Sequence, residues 1–297
     1  MAVFKTGSLQ LPNELVGSII KGISDESVVA KLAPATARGT ILNDQYTVLT
    51  AEPELEFVAE SGEKPNQEIA TAPVITQTHK AVGTLRFSQE VMWADEDTQL
   101  ELFSNSIEVL ARAGARALDY GILHAVSPHS GSAITGATAL VTAANQKTAT
   151  TDPRADMDSF PDAVIEAGFE FNGIALAPTY ANTLRKVRNA DGQKLFPEIG
   201  LSLRDASTVD GVTAAVSNTV NGSAITPATG IQAIGGDWSL IRWGIVREIQ
   251  NELIQYGDPD GLGDLKRKNE VALRYEVMYK WAVIDPLGFS VLKTQSA

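Results

Sequence analysis

The sequence predicts an α+β protein, and three observations carry the prediction. Strands and helices do not alternate regularly along the chain, which argues against a doubly wound or barrel plan. One helical stretch, Thr98 to His124, would span roughly 40 Å at 1.5 Å per residue, long for a globular domain. Two extended limbs, Tyr46 to Glu60 and Val74 to Ser88, flank the polar connector "ESGEKPNQEIATAPVITQTHK" and read as a projecting β-hairpin.

The totals fit a folded, non-membrane chain of one elaborate domain or two smaller ones. Of 297 residues, 44% are hydrophobic and 20% charged, far from the composition of disorder. No stretch has the unbroken apolar length a bilayer requires, and Gly7, Pro12, Asn13 and Glu14 interrupt the N-terminus too early for a signal peptide. Synthesis in the cytosol follows. The absence of cysteine excludes disulfides and thiolate metal sites. With 24 basic against 36 acidic residues, the formal charge of -12 has the wrong sign for a protein that grips nucleic acid phosphates. If the chain lives near nucleic acid, it encloses it rather than binds it.

Residues 1–45 read as a lightly structured arm, with a short helix at Glu14 to Lys21, then "SDESVVAKLA" and the breakers Pro34 and Gly39. In the outgoing limb of the hairpin, Leu55 and Phe57 alternate with Glu54, Glu56 and Val58. A limb of a dozen residues reaches ~40 Å at ~3.3 Å per residue. A lone hairpin buries too little surface to offset the entropy of ordering it, so it must lie on its own domain or on a neighbouring subunit.

Along the long helix, Leu100, Phe103, Ile107, Leu110, Gly114, Ala117 and Gly121 recur at helical spacing, after Asp95 and Asp97 as cap and first-turn residues. Ala111, Ala113, Gly114, Ala115 and Ala117 leave a face that another element can approach closely. Ser127 to Asp158 reads as loops with weak strands. "DSFPDAVIEAGFEF" then predicts a helix, "NGIALAP" a buried strand, "TYANTLRKVRN" a helix capped by Thr179, and "ADGQKLFPE" a turn. Short strands follow from Leu201 to Gly236, with Asn221-Gly222 as a tight hairpin turn. "GDPDGLGD" is a turn cluster, and "KNEVALRYEVMYKWAVIDPLGFSVLK" a strand pair or one bent strand.

Recognisable catalytic motifs are missing. There is no phosphate-cradling glycine loop, no nucleophile elbow and no zinc helix. His79, His124 and His129 have no partner spacing. Asp258, Asp260, Gly263 and Asp264 mimic the start of a calcium loop, but Leu262 and Asn269 stand where ligands are needed, so the turn reading is preferred. Lys266 to Lys268 reads as a solvated edge, and Trp243 and Trp281 as core or subunit-contact residues. No metal or cofactor is expected. By elimination, structure or assembly is favoured over catalysis.

The order of segments resembles the major capsid proteins of tailed bacteriophages, the Hong Kong ninety-seven type fold. "LPNELVGSIIKGISDESVVAKLA" is similar to the family's N-terminal arm, "EFVAESGEKPNQ" to its extended loop, and "GTLRFSQEVMWAD" to the strand and Ser-led turn before its spine helix. "GIALAPTYANTLRKVRNADGQKLF" resembles the axial domain, while "IGGDWSLIRWGI" and "NEVALRYEVMYKWAVIDPLGFSVL" resemble returning peripheral-domain strands. The resemblance covers about Leu11 to Lys293. It implies an arm over 1–45, an extended loop over 46–88, a peripheral domain with spine helix over 89–155, an axial domain over 156–236 and returning strands over 237–297.

What the resemblance implies is a head shell subunit that assembles with itself into hexamers and pentamers of an icosahedral virion capsid around double-stranded DNA. Portal and scaffolding proteins are then the expected partners, with a decoration protein as a further candidate. The arm begins almost at Met1, so a separate scaffold, or none, and no N-terminal cleavage are expected. In the founding member a loop-tip lysine bonds to an asparagine of another subunit with help from a glutamate seven residues on, and the matching positions here are Lys64, Asn269 and Glu276. An exposed loop lysine and ordinary strand polar residues are the alternative reading of the three. An encapsulin-like compartment shell and an unrecognised α+β enzyme stay open as alternative functions.

Overall fold

The computed structural model describes residues 26–33, 35, 45–49, 57–58, 71–93, 96–203, 206–223, 225 and 228–294. The helix expected at Glu14 to Lys21, residues 50–56 of the outgoing limb, residues 59–70 with Lys64 and the cap at Asp95 lie outside them. The hairpin forms from β1 (Gln45–Leu49) and β2 (Thr71–Ile75), antiparallel with Gln45 opposite Ile75. Past the buried Thr76 the return limb runs on as β3 (Gln77–Ser88), so a nearly continuous extended stretch serves first the hairpin and then a second sheet.

That second sheet has the order β3-β10-β9, with β9 spanning Ile241–Ile254 and β10 spanning Glu270–Val283. Alternation on β10 sets its two faces: Tyr275, Val277, Tyr279 and Trp281 are buried, while Arg274, Glu276 and Met278 are only partly covered. The apolar face packs on the long helix, here α2 after a short α1 at Val28–Leu32; α2 covers Glu96–Asp119. Small residues permit the close approach expected from the sequence, since the Tyr279 hydroxyl donates to the Gly114 carbonyl at 3.0 Å. At the end of α2 the chain widens into a π turn, Tyr120–His124, and stops at Ala125 in the left-handed region with φ 54. Gly121 lies within that turn because a Cβ there would come 2.9 Å from the Trp281 ring.

A six-stranded sheet of order β4-β11-β8-β5-β7-β6 forms the other half. Its strands are β4 (Asn145–Thr148), β5 (Gly173–Leu176), β6 (Thr208–Val209), β7 (Val212–Val216), β8 (Ile231–Gly236) and β11 (Phe289–Lys293). Phe160, Tyr180, Leu184 and Phe196 bury one side of it together with Ile174 and Leu292. The larger core runs from Val28 and Val29 through Leu118, Trp243 and Tyr279 to Phe289 and Val291, and so joins both sheets.

Several local readings change. The Ser127 to Asp158 region holds short helices at Leu140–Ala143 and Pro153–Asp158 as well as β4. "DSFPDAVIEAGFEF" yields only the helix Asp162–Glu166, because Gly168 turns the chain out at φ 83. The next helix, Pro178–Leu184, is capped by Ala177 and not Thr179, since Pro178 takes the first helical position that its ring favours. Asn221-Gly222 does turn, yet β7 and β8 are not neighbours, as β5 lies between them. The tight hairpin is at Asp210-Gly211, where φ of 51 and 79 supplies the double left-handed geometry of a two-residue loop between β6 and β7. β10 and β11 do not pair with each other; Asp285 caps a short turn at Pro286–Gly288 and the chain changes sheets.

Candidate functional site

The ends of β3 and β9 and the start of β10 meet at one tip of the three-stranded sheet, where the "GDPDGLGD" loop closes on Arg86. The Arg86 guanidinium donates to Asp260, to Glu270 at 2.8 Å, to Asp258 at 3.2 Å and to the Gly263 carbonyl at 2.9 Å. Its hydrogen bonds with Asp260 and then Glu270 hold its pKa above the usual arginine value, and the same Arg86 bond holds Asp260 below the usual carboxylate value. Asp264 caps the short helix Leu265–Lys268 by accepting from Arg267 N–H. These aspartates are therefore engaged in fixing a loop, which is the turn reading and not the calcium reading.

Asn269 follows that helix in the left-handed conformation, φ 54, and its carbonyl accepts from Gln89 N–H at 2.7 Å while its side chain is exposed. Glu276 lies on the partly open face of β10 and pairs with Lys80 of β3 at 2.7 Å. From Glu270 to Glu276 the strand rises about 20 Å, so one chain does not bring Asn269 and Glu276 together. Lys64 lies outside the described residues.

A second polar site sits at the junction of the two halves, and sequence reasoning missed it. Asp119 is fully buried, and its carboxylate accepts four hydrogen bonds, two on each oxygen. Ser27 Oγ (2.6 Å) and Val29 N–H (3.2 Å) reach Oδ1, and Val28 N–H (3.2 Å) and Thr219 Oγ1 (2.7 Å) reach Oδ2. Burial pushes the Asp119 pKa up, and the bonds from Ser27, Thr219, Val29 and Val28 pull it back. Ser27 also accepts from Ala30 N–H as the N-cap of α1. At the other end of α1, Trp243 Nε1 donates to the Ala33 carbonyl at 2.8 Å. His124 Nε2 donates to the Thr219 carbonyl at 2.8 Å, and burial lowers the pKa of its imidazole. The one sequence clue was an acid four residues beyond Ala115, on the buried face of the helix.

The three histidines do not converge: His124 is at the junction, His79 stacks on Trp281 at 4.3 Å, and His129 is exposed on a loop. Among the described residues no helix is long and apolar enough to cross a membrane.

A family model described as the phage capsid family matches residues 7–294. A solved structure from Mycobacterium phage Ogopogo is 34% identical, covers 99% of this chain and 100% of its own, and superposes with a TM-score of 0.78. One from Gordonia phage Cozz is 30% identical over 92% of this chain and 87% of its own, with a TM-score of 0.76. The capsid of a native GTA particle shares the fold at 15% identity and a TM-score of 0.63, covering 92% of this chain and 91% of its own. No curated protein matches the chain.

Proposed function

This chain belongs to the phage capsid family, and from that premise we propose how its parts divide the work of a shell. It is a structural subunit of a phage head, with the Hong Kong ninety-seven type fold, and it assembles with copies of itself; neither a cargo compartment nor an enzyme is favoured. The observation that carries the reading is the family match over residues 7–294, joined to 34% identity with a phage structure over nearly the whole length.

Beyond that, we assign the three-stranded sheet with α2 to a peripheral domain and the six-stranded sheet to an axial domain, supported by their separate strand orders. Hexamers and pentamers of an icosahedral shell, DNA inside, and portal, scaffolding and decoration partners are the finer proposal. An acidic chain of net charge -12 suits a wall along which packaged DNA must slide. Negative-stain microscopy of purified particles, with nuclease and protease digestion of their contents, tests it. Closed shells containing DNA are expected, and a 31.6 kDa monomer or small oligomer under all conditions would overturn it.

Covalent locking is a narrower proposal. Lys64 Nζ would attack the Asn269 side-chain carbonyl of another copy, an isopeptide C–N bond would form, and ammonia would leave with the proton that a carboxylate such as Glu276 relays. The exposed Asn269 side chain favours it; the Lys80 ion pair on Glu276 must first be released. Because Asn269 and Glu276 are far apart within one chain, they would act from different copies. Boiling particles in detergent decides the matter: ladders of linked subunits support the bond, and a single monomer band removes it.

A further inference from the structure

α1 is five residues long, too short to be stable by its own hydrogen bonds. Yet Val28, Val29 and Ala33 are buried in the same core as Leu118, Trp243 and Val291, and both ends of the segment are tied by side chains from elsewhere. The Asp119 carboxylate receives its first two free backbone N–H groups, which any helix N-terminus leaves without internal partners. The same carboxylate holds Thr219, on the loop after β7. One buried group therefore joins three elements: the root of the arm, the end of the long helix and a loop of the six-stranded half.

The π turn explains how one helix end reaches Thr219 twice. Residues five apart on an α-helix point about 140° away from each other. The i→i+5 bonding of a π turn brings them towards one face instead. Asp119 and His124 are five apart, and they hold the Thr219 hydroxyl and the Thr219 carbonyl respectively.

We propose that Ser27, Asp119, Thr219 and His124 form a latch in which docking of residues 26–33 and seating of the 217–223 loop are one coupled event. Until the strap is home, neither the helix end nor the loop has its full set of partners; once it is, the arm root and both sheets move as one body. The consequence for a shell rests on the head-subunit reading: a pull on the arm upstream of Ser27 is delivered to the junction between the two halves. The latch itself does not depend on that reading.

Coupling of this kind is reciprocal, so it can be tested from either side. Hydrogen exchange read by mass spectrometry on the full-length, unassembled chain would compare Ser27→Ala, Thr219→Val and, as a surface control, the exposed Lys31→Ala. Ser27→Ala is expected to speed exchange about ten-fold in residues 217–223 as well as 26–33, and Thr219→Val to do the same in 26–33, with Lys31→Ala changing neither. Acceleration confined to the mutated side in both variants overturns the latch. Whether the unaltered chain forms particles is read separately, so loss of the shell reading and loss of the latch are distinguishable results.

Discussion

Asp119→Asn tests whether the buried carboxylate is held as an acceptor for the backbone of Val28 and Val29. Each of its oxygens receives one hydroxyl and one backbone N–H. A hydroxyl can rotate and accept instead, but a backbone N–H cannot. Whichever way the new amide is turned, its NH2 therefore faces the N–H of Val28 or of Val29 and leaves it without a partner. An orphaned buried donor costs about 1–3 kcal/mol, and the lost charge-assisted bonds add to it. Removing a buried charge returns part of that cost, because burial disfavours the ionised form. The net expectation is a loss of about 2 kcal/mol, which at a urea dependence of about 2–3 kcal/mol/M lowers the unfolding midpoint by roughly 0.7–1 M. Urea titration of the unassembled chain followed by tryptophan fluorescence measures it. A variant as stable as the parent, or more so, would show that desolvation dominates and that the hydrogen bonds do not hold the strap.

Gly121→Ala should destabilise by about 1–3 kcal/mol, since its Cβ would meet the Trp281 ring, itself stacked on His79; an unchanged thermal midpoint would refute the packing argument. Arg86→Ala should free the loop between Gly257 and Lys268 for early cleavage in limited proteolysis, with the sheet core still resistant; an intact loop would mean that its own turns suffice. His124 has a folded pKa below 6.5, so its neutral form is favoured by folding. Its contribution is full above pH 6.5 and is lost as pH falls through the lower folded value. His124→Gln, which keeps a donor for the Thr219 carbonyl, should flatten that acid limb, leaving the slope from His79, whose pKa burial also lowers. An acid limb as steep as the parent's would exclude His124 as its source.

Much of the fold was legible because its signals are local. The periodicity that carried α2 needs only residues three and four apart, and the small residues around Gly114 correctly marked the face that the sheet approaches. The β-rich return limb was equally visible, though its division between hairpin and sheet was not, since nothing in the sequence marks Thr76 as the point of change. Turn chemistry misled where two similar dipeptides competed: Asp210-Gly211 and Asn221-Gly222 carry the same preference, and only pairing decides which joins neighbouring strands. Arg86 and Asp119 could not be ranked at all. Arg86 finds its carboxylates 172 to 184 residues away, and Asp119 its donors 90 to 100 residues away, so neither cluster exists until the chain has folded.

The strand that leaves the hairpin and enters the sheet has a mechanical meaning. Every residue of β3 from Gln77 to Ser88 lies opposite one on β10 from Trp281 to Glu270. Tension applied along the hairpin therefore arrives parallel to that ladder, where the hydrogen bonds share the load at once, as in a lap joint, and do not open one by one from an end. A projection joined through a flexible loop would swing under the same force. Here the chain is built to carry traction from its hairpin into β10, a strand paired on both sides.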